Sequence, residues 1–163
     1  MSNETELKTI LNNLNERKKP LNCIYQVSEL LSKTRKPLAE IFDRLIAIIP
    51  YGWQFSEQCC VQIIYEDKIY QADGFHKSRF MKEAPLIIEN QTVGKIRIYC
   101  QEIAAIENPF LHEEERLLIT IADKISTFLY HKNLTEAFSD LVRSSTNKKQ
   151  KPEWKTITEL LRR

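Results

Sequence analysis

Residues 108–138, NPFLHEEERLLITIADKISTFLYHKNLTEAF, limit the possible folds more than any other stretch of the chain. Apolar residues recur there at steps of three and four, the spacing that places them on one side of an α-helix. Glutamates fill the first turns, and His131 and Lys132 follow further on, an order that the helix dipole favours. The pattern predicts a helix of about seven turns that packs on a core through Leu117, Leu118, Ile121, Ile125, Phe128 and Leu129.

A period of two begins at Cys59 and indicates the strands of a sheet. In CCVQIIYED, Cys59, Val61, Ile63 and Tyr65 share one face. EDK is predicted as a hairpin turn into IYQA, and APLIIEN and TVGKIRIYC as further strands joined near Asn90 and Gln91. The segment ADGFHKSRFMKE connects the two pairs. The resulting antiparallel sheet has one apolar face and a second, mixed face.

Helical segments precede the sheet. Residues 4–16 carry a narrow apolar row, which Lys18, Lys19 and Pro20 are expected to end, and helical spacing resumes at 24–31 and at 38–49. With 163 residues, 42% of them apolar, the chain can bury one core. We therefore expect an α+β fold in which an antiparallel sheet packs against N- and C-terminal helices. Its parts are an N-terminal helix at 1–20, the sheet domain with its closing helix at 21–136, and a helix extension, linker and start of a downstream segment at 137–163.

Charge and hydropathy argue against several classes of protein. The net charge is only +2, and no aromatic residues are interleaved among the lysines at 148–151, so no nucleic-acid partner is expected. No apolar run reaches the roughly 18 residues that a membrane span needs, and the polar start does not resemble a secretion signal. We expect a cytoplasmic protein without a membrane partner. The four cysteines lack CxxC spacing and are expected to be free thiols.

The mixed face of the sheet is the best candidate for a ligand site. It carries polar and aromatic residues that are expected to converge with three residues of the connecting segment. An arginine beside aromatic and amide groups suits a small carboxylate or phosphate. The alternative is that Lys95 and Arg97 only form a solvated face of the sheet. The predicted ligand residues are Gln62, His76, Arg79, Phe80, Arg97 and Tyr99.

The sequence contains few candidate catalytic or metal-binding residues. The three histidines are spread along the chain without Cys or acidic partners at metal-ligand spacing, and no Ser, His and Asp set stands out. The acidic run at Glu113–Glu115 is interpreted as an exposed first helical turn, and Trp53 as an aromatic plug of the core. Cys59 and Cys60 are neighbours on a strand and therefore point to opposite faces. We expect no enzyme, no cofactor and no metal.

The closing helix has apolar spacing beyond what one core needs. Its continuation, together with the row near the N-terminus, predicts a helical bundle between two subunits. Residues 143–153 are polar and contain a proline, which indicates a linker, and a short helix resumes after it. The predicted dimer residues are Leu7, Leu11, Leu14, Leu134, Phe138 and Leu141.

The chain resembles a GAF domain over about residues 22–136. The closing helix carries the specific part of the resemblance, through Pro109, Phe110, Glu113, Glu114, Leu117, Leu118, Ile121, Ala122, Ile125, Leu134 and Glu136. With IPYGWQFSEQCCVQIIYED and GKIRIYCQE, it is similar to compact GAF-like domains found upstream of bacterial histidine kinases. The tail KPEWKTITELLRR is similar to the linker before a phosphoenolpyruvate synthase or pyruvate phosphate dikinase type module.

The sequence departs from the family's pattern in two places. Leu111 stands where the family places a capping Thr or Ser, so the cap falls to Asn108 or is absent. The connecting segment is also too short to roof a deep pocket for a cyclic nucleotide, haem or bilin.

The resemblance implies a non-catalytic sensory module that relays small-ligand binding or a dimer rearrangement to an attached kinase or phosphotransferase. One alternative is a dimerisation scaffold without a ligand. A third is a GAF-derived methionine sulfoxide reductase, which would need Cys60 or Cys100 as its catalytic cysteine.

Overall fold

The computed structural model describes residues 2–33, 35–104 and 106–147. These residues form an α+β fold with three α-helices and a four-stranded antiparallel sheet, which confirms the predicted class. By its internal contacts the chain divides into two compact units, Met1–Thr127 and Phe128–Arg163. The elements are α1 Ser2–Lys33, α2 Leu38–Ile48, β1 Cys59–Tyr65, β2 Lys68–Gln71, β3 Phe80–Ile88, β4 Gln91–Cys100 and α3 His112–Asn147, with short 3-10 helices at Ile49–Gly52 and Ser56–Gln58.

Helix α1 continues through the expected break at Lys18–Pro20. Pro20 lies inside the helix, so the prediction that it ends the first helical segment was wrong. A proline removes one backbone donor and costs about 3 kcal/mol in a helix interior, and contacts outside the helix offset that cost. Cys23 and Val27, one and two turns later, are buried, and α1 packs against α2 and the Ile49–Gly52 turn. Packing therefore overrides the local signal.

The sheet has the strand order β2-β1-β4-β3, with every neighbouring pair antiparallel. Two-residue turns close both hairpins. Glu66 and Asp67 have φ values of 49° and 66°, and Glu89 and Asn90 have 50° and 64°. Positive φ at both central residues is typical of a type I′ turn, whose twist matches that of the strands. The predicted hairpin at EDK is confirmed, and the second turn lies at Glu89–Asn90.

Strand β3 is longer than the sequence pattern predicts. It begins at Phe80, so the prediction that residues 80–83 belong to a connecting loop was wrong. These residues lack a clear alternation of apolar and polar side chains, but their backbone pairs with β4 in regular register. Glu83 lies opposite Arg97, and an opposite-charge pair across two strands is stabilising. The connecting loop is therefore only 72–79.

The core lies on the apolar face of the sheet. Helix α2 packs on β1 and β2, and the Phe42 ring contacts the rings of Tyr65 and Tyr70 edge to face. Gly94 lies at a close approach of β4 to β1, since a Cβ at this position would overlap the carbonyl oxygen of Ile64. The buried residues of this face are Val61, Ile63, Tyr65, Ala84, Leu86, Ile96, Ile98 and Cys100.

Helix α3 supplies further core residues and confirms the predicted closing helix. Ile121 and Ile125 have no exposed surface, and Leu117 and Leu118 are nearly as buried. The helix includes residues up to Asn147, so the prediction that 143–147 begin a linker was wrong. The rest of that linker and the short helix after it lie outside the described residues. Within the described part of the chain, no helix is both long and apolar enough to cross a membrane.

Candidate functional site

The mixed face of the sheet brings three of the six predicted ligand residues together. Gln62 on β1 lies directly opposite Arg97 on β4, and Tyr99 lies two residues further along β4 on the same side. Gln62 retains 3% of its accessible surface and Tyr99 5%, so neither belongs to a solvated face. The mixed face is therefore partly covered, and its polar groups need partners.

The Gln62 side chain is only half satisfied. Its Nε2 donates a hydrogen bond to Oε1 of Gln71 on β2, at 2.9 Å. Its own Oε1 is buried, and no described residue donates to it. A buried acceptor without a partner costs about 1–3 kcal/mol. Gln62 thus presents an open hydrogen-bond acceptor on the mixed face.

Arg97 is paired with an acidic residue that the sequence pattern did not predict. Its Nε donates to Oε2 of Glu83 on β3 at 2.9 Å. This hydrogen bond raises the pKa of the Arg97 guanidinium further above its ordinary value, and the nearby Tyr99 hydroxyl also raises it. The cation at the centre of the mixed face therefore already has a carboxylate partner.

The loop 72–79 covers one end of the mixed face. The Phe75 ring contacts Tyr99 edge to face, with the centroids 5.3 Å apart. The Cys60 thiol donates to the backbone carbonyl of His76 at 3.4 Å, and the His76 ring contacts the Gln101 side-chain amide. His76 therefore lies at the rim of this face.

Phe80 and Arg79 are placed differently from the prediction. Phe80 pairs with Cys100, which puts it on the apolar side of the sheet, so the expectation that it converges with Gln62 was wrong. The Arg79 guanidinium lies over the Phe80 ring, 4.7 Å from its centroid, and forms an ion pair with Glu102. The reason is the early start of β3, because the strand's alternation fixes the face of each of its residues.

Two clefts lie away from Arg97. One of about 380 Å³ is formed by residues of α1 with Ile48 and Tyr51. The other, of about 280 Å³, lies at the start of β1 and is lined by Tyr51, Ser56, Glu57, Cys59 and Cys60, among others. Neither cleft follows from the sequence pattern, because each combines residues from elements that are separate in the chain.

Glu114 contradicts the interpretation of the acidic run as an exposed helical turn. Only 3% of it is accessible, and burial raises the pKa of its carboxyl group above the ordinary value. Its Oε1 accepts from the backbone N–H of Leu111 at 2.8 Å, the carboxylate half of a capping box. Glu114 therefore caps α3, whereas the Asn108 side chain accepts from the backbone N–H of Phe110.

The six predicted dimer residues are all exposed. They form the Leu7 row in α1, made of Leu7, Leu11 and Leu14, and the Leu134 row in α3, made of Leu134, Phe138 and Leu141. About half of each side chain's surface is accessible. Each row repeats the spacing of four and then three residues that is found in helix-pairing seams.

The described residues contain no group of three or more His, Cys, Asp or Glu side chains arranged to hold a metal ion. What the site offers is one open acceptor on Gln62, a guanidinium paired with Glu83, and the Tyr99 phenol. Such an arrangement can bind a small polar molecule. No protein-family model matches the chain, and a search of curated proteins found no match either.

Proposed function

We propose that this chain is a regulatory module of the GAF-like sensory type. It binds a small ligand on the mixed face of its sheet. The effect of ligand binding, or of a rearrangement of the dimer, is relayed to an attached kinase or phosphotransferase. It carries out no chemistry of its own. The single observation that carries the ligand-binding part is the buried Gln62 acceptor beside Arg97, because a buried polar atom without a partner is uncommon unless water or a ligand satisfies it.

The ligand has to combine two features. It needs a hydrogen-bond donor for the Gln62 Oε1 atom, and it needs an acceptor or anionic group that competes with Glu83 for Arg97. A small hydroxy acid or a phosphate monoester carries both. Binding of such a molecule loosens the pairing of Arg97 with Glu83, since one guanidinium edge then serves two acceptors.

A change at Glu83 has a short path to α3. The neighbouring Lys82 forms an ion pair with Glu115 in the first turn of α3, at 2.7 Å. Four residues beyond Glu83 along β3, the backbone N–H of Ile87 donates to Ser126 Oγ of α3 at 3.0 Å. Both contacts link α3 to β3, the strand that carries Glu83. A shift of β3 is therefore transmitted to α3.

Two-dimensional amide NMR of the full chain tests the ligand site directly. Glycolate and inorganic phosphate serve as probes, and the Gln62 side-chain amide is the reporter. We expect its resonances to shift with a saturable dependence on at least one probe, and Arg97→Leu to abolish the shift. Arg79→Leu is the matched control, because Arg79 pairs with Glu102 away from the mixed face and should leave binding unchanged. No shift at Gln62 with either probe would contradict the site.

A dimerisation scaffold without a ligand is the second candidate function. The observation in its favour is that Arg97 and Gln62 already have the partners Glu83 and Gln71, so most of the mixed face is satisfied within the chain. The exposed Leu7 and Leu134 rows serve both functions equally. A chain that dimerises through these rows and shows no probe-dependent shift at Gln62 would be assigned to this second function.

A further inference from the structure

Cys59 and Cys100 lie directly opposite each other on β1 and β4. The backbone N–H of Gln101 donates to the carbonyl of Gln58 at 2.9 Å, so the adjacent pair Gln58 and Gln101 is a hydrogen-bonded one. Because such pairs alternate in an antiparallel ladder, Cys59 and Cys100 occupy a non-hydrogen-bonded position. This position brings the side chains of opposite residues closest together.

The spacing at such a position suits a disulfide. Opposite Cα atoms are about 4.5 Å apart there, within the roughly 4.4–6.8 Å that a disulfide spans. The two side chains also lie on the same face of the sheet, as directly opposite residues of an antiparallel pair do. We propose that Cys59 and Cys100 are a redox modification site, at which a hydroperoxide converts the two thiols into an intramolecular disulfide. The proposal does not depend on ligand binding at the mixed face.

Access to the pair comes from the side of Cys59. Cys59 is half-buried and lines the cleft of about 280 Å³ at the start of β1, whereas Cys100 has no exposed surface. A small hydroperoxide therefore reaches Cys59 first. Cys60 lines the same cleft but belongs to the mixed face, and Cys23 lies on α1 with its thiol directed to the Ile49 carbonyl.

The chemistry is a two-step oxidation. The Cys59 thiol first loses its proton, and the thiolate attacks one oxygen of hydrogen peroxide. The O–O bond breaks and the departing hydroxide takes up that proton, so the products are a Cys59 sulfenic acid and water. The Cys100 sulfur then attacks the Cys59 sulfur, the S–O bond breaks, and the hydroxyl leaves as a second water with the Cys100 proton. Two thiols and one peroxide thus give one disulfide and two waters. Burial raises the pKa of both thiols, so the reaction is slow at neutral pH.

Peptide mapping of the oxidised full chain identifies the bond. The protein is treated with hydrogen peroxide, its remaining thiols are alkylated, and it is digested with trypsin without reduction. We expect peptide 45–68, which contains Cys59 and Cys60, to be linked to peptide 98–116, which contains Cys100. Fragmentation between the two neighbouring cysteines should place the bond on Cys59. Because this measurement uses the unaltered chain, it does not depend on any variant folding.

Single substitutions check the assignment. Cys59→Ala and Cys100→Ala should each abolish the link, while the matched controls Cys60→Ala and Cys23→Ala should keep it. Cys60 also serves as an internal standard, and oxidation is continued until Cys60 has reacted. If Cys59 and Cys100 are then still free to be alkylated, or if the bond joins Cys59 to Cys60 or two chains to each other, the proposal is wrong.

Discussion

Glu114 in the first turn of α3 accepts a hydrogen bond from the backbone N–H of Gln54, 60 residues earlier in the chain, at 2.7 Å. The second oxygen of the same carboxylate caps the helix at Leu111. One buried acidic side chain therefore ties the segment before β1 to the start of the closing helix. Trp53, next to Gln54, is almost fully buried, so this connection lies against the core.

Burial of Glu114 predicts a defined pH dependence of stability. Burial is the largest cause of its raised pKa, and the two backbone hydrogen bonds only partly oppose it. Below the ordinary pKa of 4.5 the carboxyl is protonated in both the folded and the unfolded state. Above it, the unfolded state loses the proton first, so the folded state binds more protons and its stability falls as pH rises through the folded-state pKa.

Urea unfolding of the wild type and Glu114→Gln at pH values from 4 to 7 measures this dependence. Glutamine keeps a hydrogen-bond acceptor but does not titrate. The unfolding free energy of the wild type relative to the variant should therefore decrease as pH rises. Glu113→Gln is the matched control, because Glu113 is exposed. The unfolding free energy of the wild type relative to this control should change less with pH. A difference that grows with pH would mean that hydrogen bonding, rather than burial, dominates the pKa of Glu114.

Ile121 and Ile119 provide a test of which side of α3 packs on the sheet. Ile121 has no exposed surface, whereas Ile119 is 54% exposed. Truncating a buried isoleucine to alanine costs about 2–5 kcal/mol, and a surface substitution usually changes stability by less than about 0.5 kcal/mol. Chemical denaturation should therefore separate Ile121→Ala from Ile119→Ala by at least about 1.5 kcal/mol. Equal losses would mean that the helix has a different face on the core.

The hydrogen bond between Gln62 and Gln71 predicts an asymmetric response to substitution. Gln71→Ala leaves the buried Gln62 Nε2 without its partner, and we expect a loss near 1 kcal/mol, the lower end of the usual range, because water can reach the exposed Gln71 side. The double substitution Gln62→Leu with Gln71→Leu removes donor and acceptor together and should cost less than Gln71→Ala alone. A larger loss for the double variant would mean that the Gln62 amide makes contacts beyond Gln71.

Much of the fold could be predicted because local patterns and packing agree. Two patterns predict burial of one face of an element: the alternation from Cys59 to Tyr65 in β1 and the helical spacing from Leu117 to Ile125 in α3. The structure buries both of these faces. The pattern failed where packing overrides local preference, as at Pro20 inside α1. It also failed at Glu114, because three consecutive glutamates do not show which of them turns inward.

The candidate site could be predicted only in part, for a physical reason. Gln62, Arg97 and Tyr99 lie on strands with clear alternation, so their shared face follows from the period. Glu83, which pairs with Arg97, and Gln71, which accepts from Gln62, were not found. Glu83 belongs to the part of β3 without alternation, and Gln71 to a short edge strand. The pairing of Cys59 with Cys100 depends on strand register, which a period alone does not give.

Dimerisation through the Leu134 row is the part of the proposed relay that links one chain to another. Its three side chains are about half exposed and spaced as in a helix-pairing seam, and a second copy of the same helix would bury them. Two introduced glutamates in that row would have to be buried together, which is strongly unfavourable. Leu134→Glu with Phe138→Glu therefore tests the seam, and Asn133→Glu with Ser139→Glu adds the same charge away from the row.

Sedimentation equilibrium of the full chain and these two double variants is the measurement that tests the proposed module most directly. We predict a dimer for the wild type and for the Asn133 and Ser139 variant, and a monomer for the Leu134 and Phe138 variant. A wild-type monomer, or a dimer that persists after both glutamates are placed in the Leu134 row, would contradict the two-subunit relay.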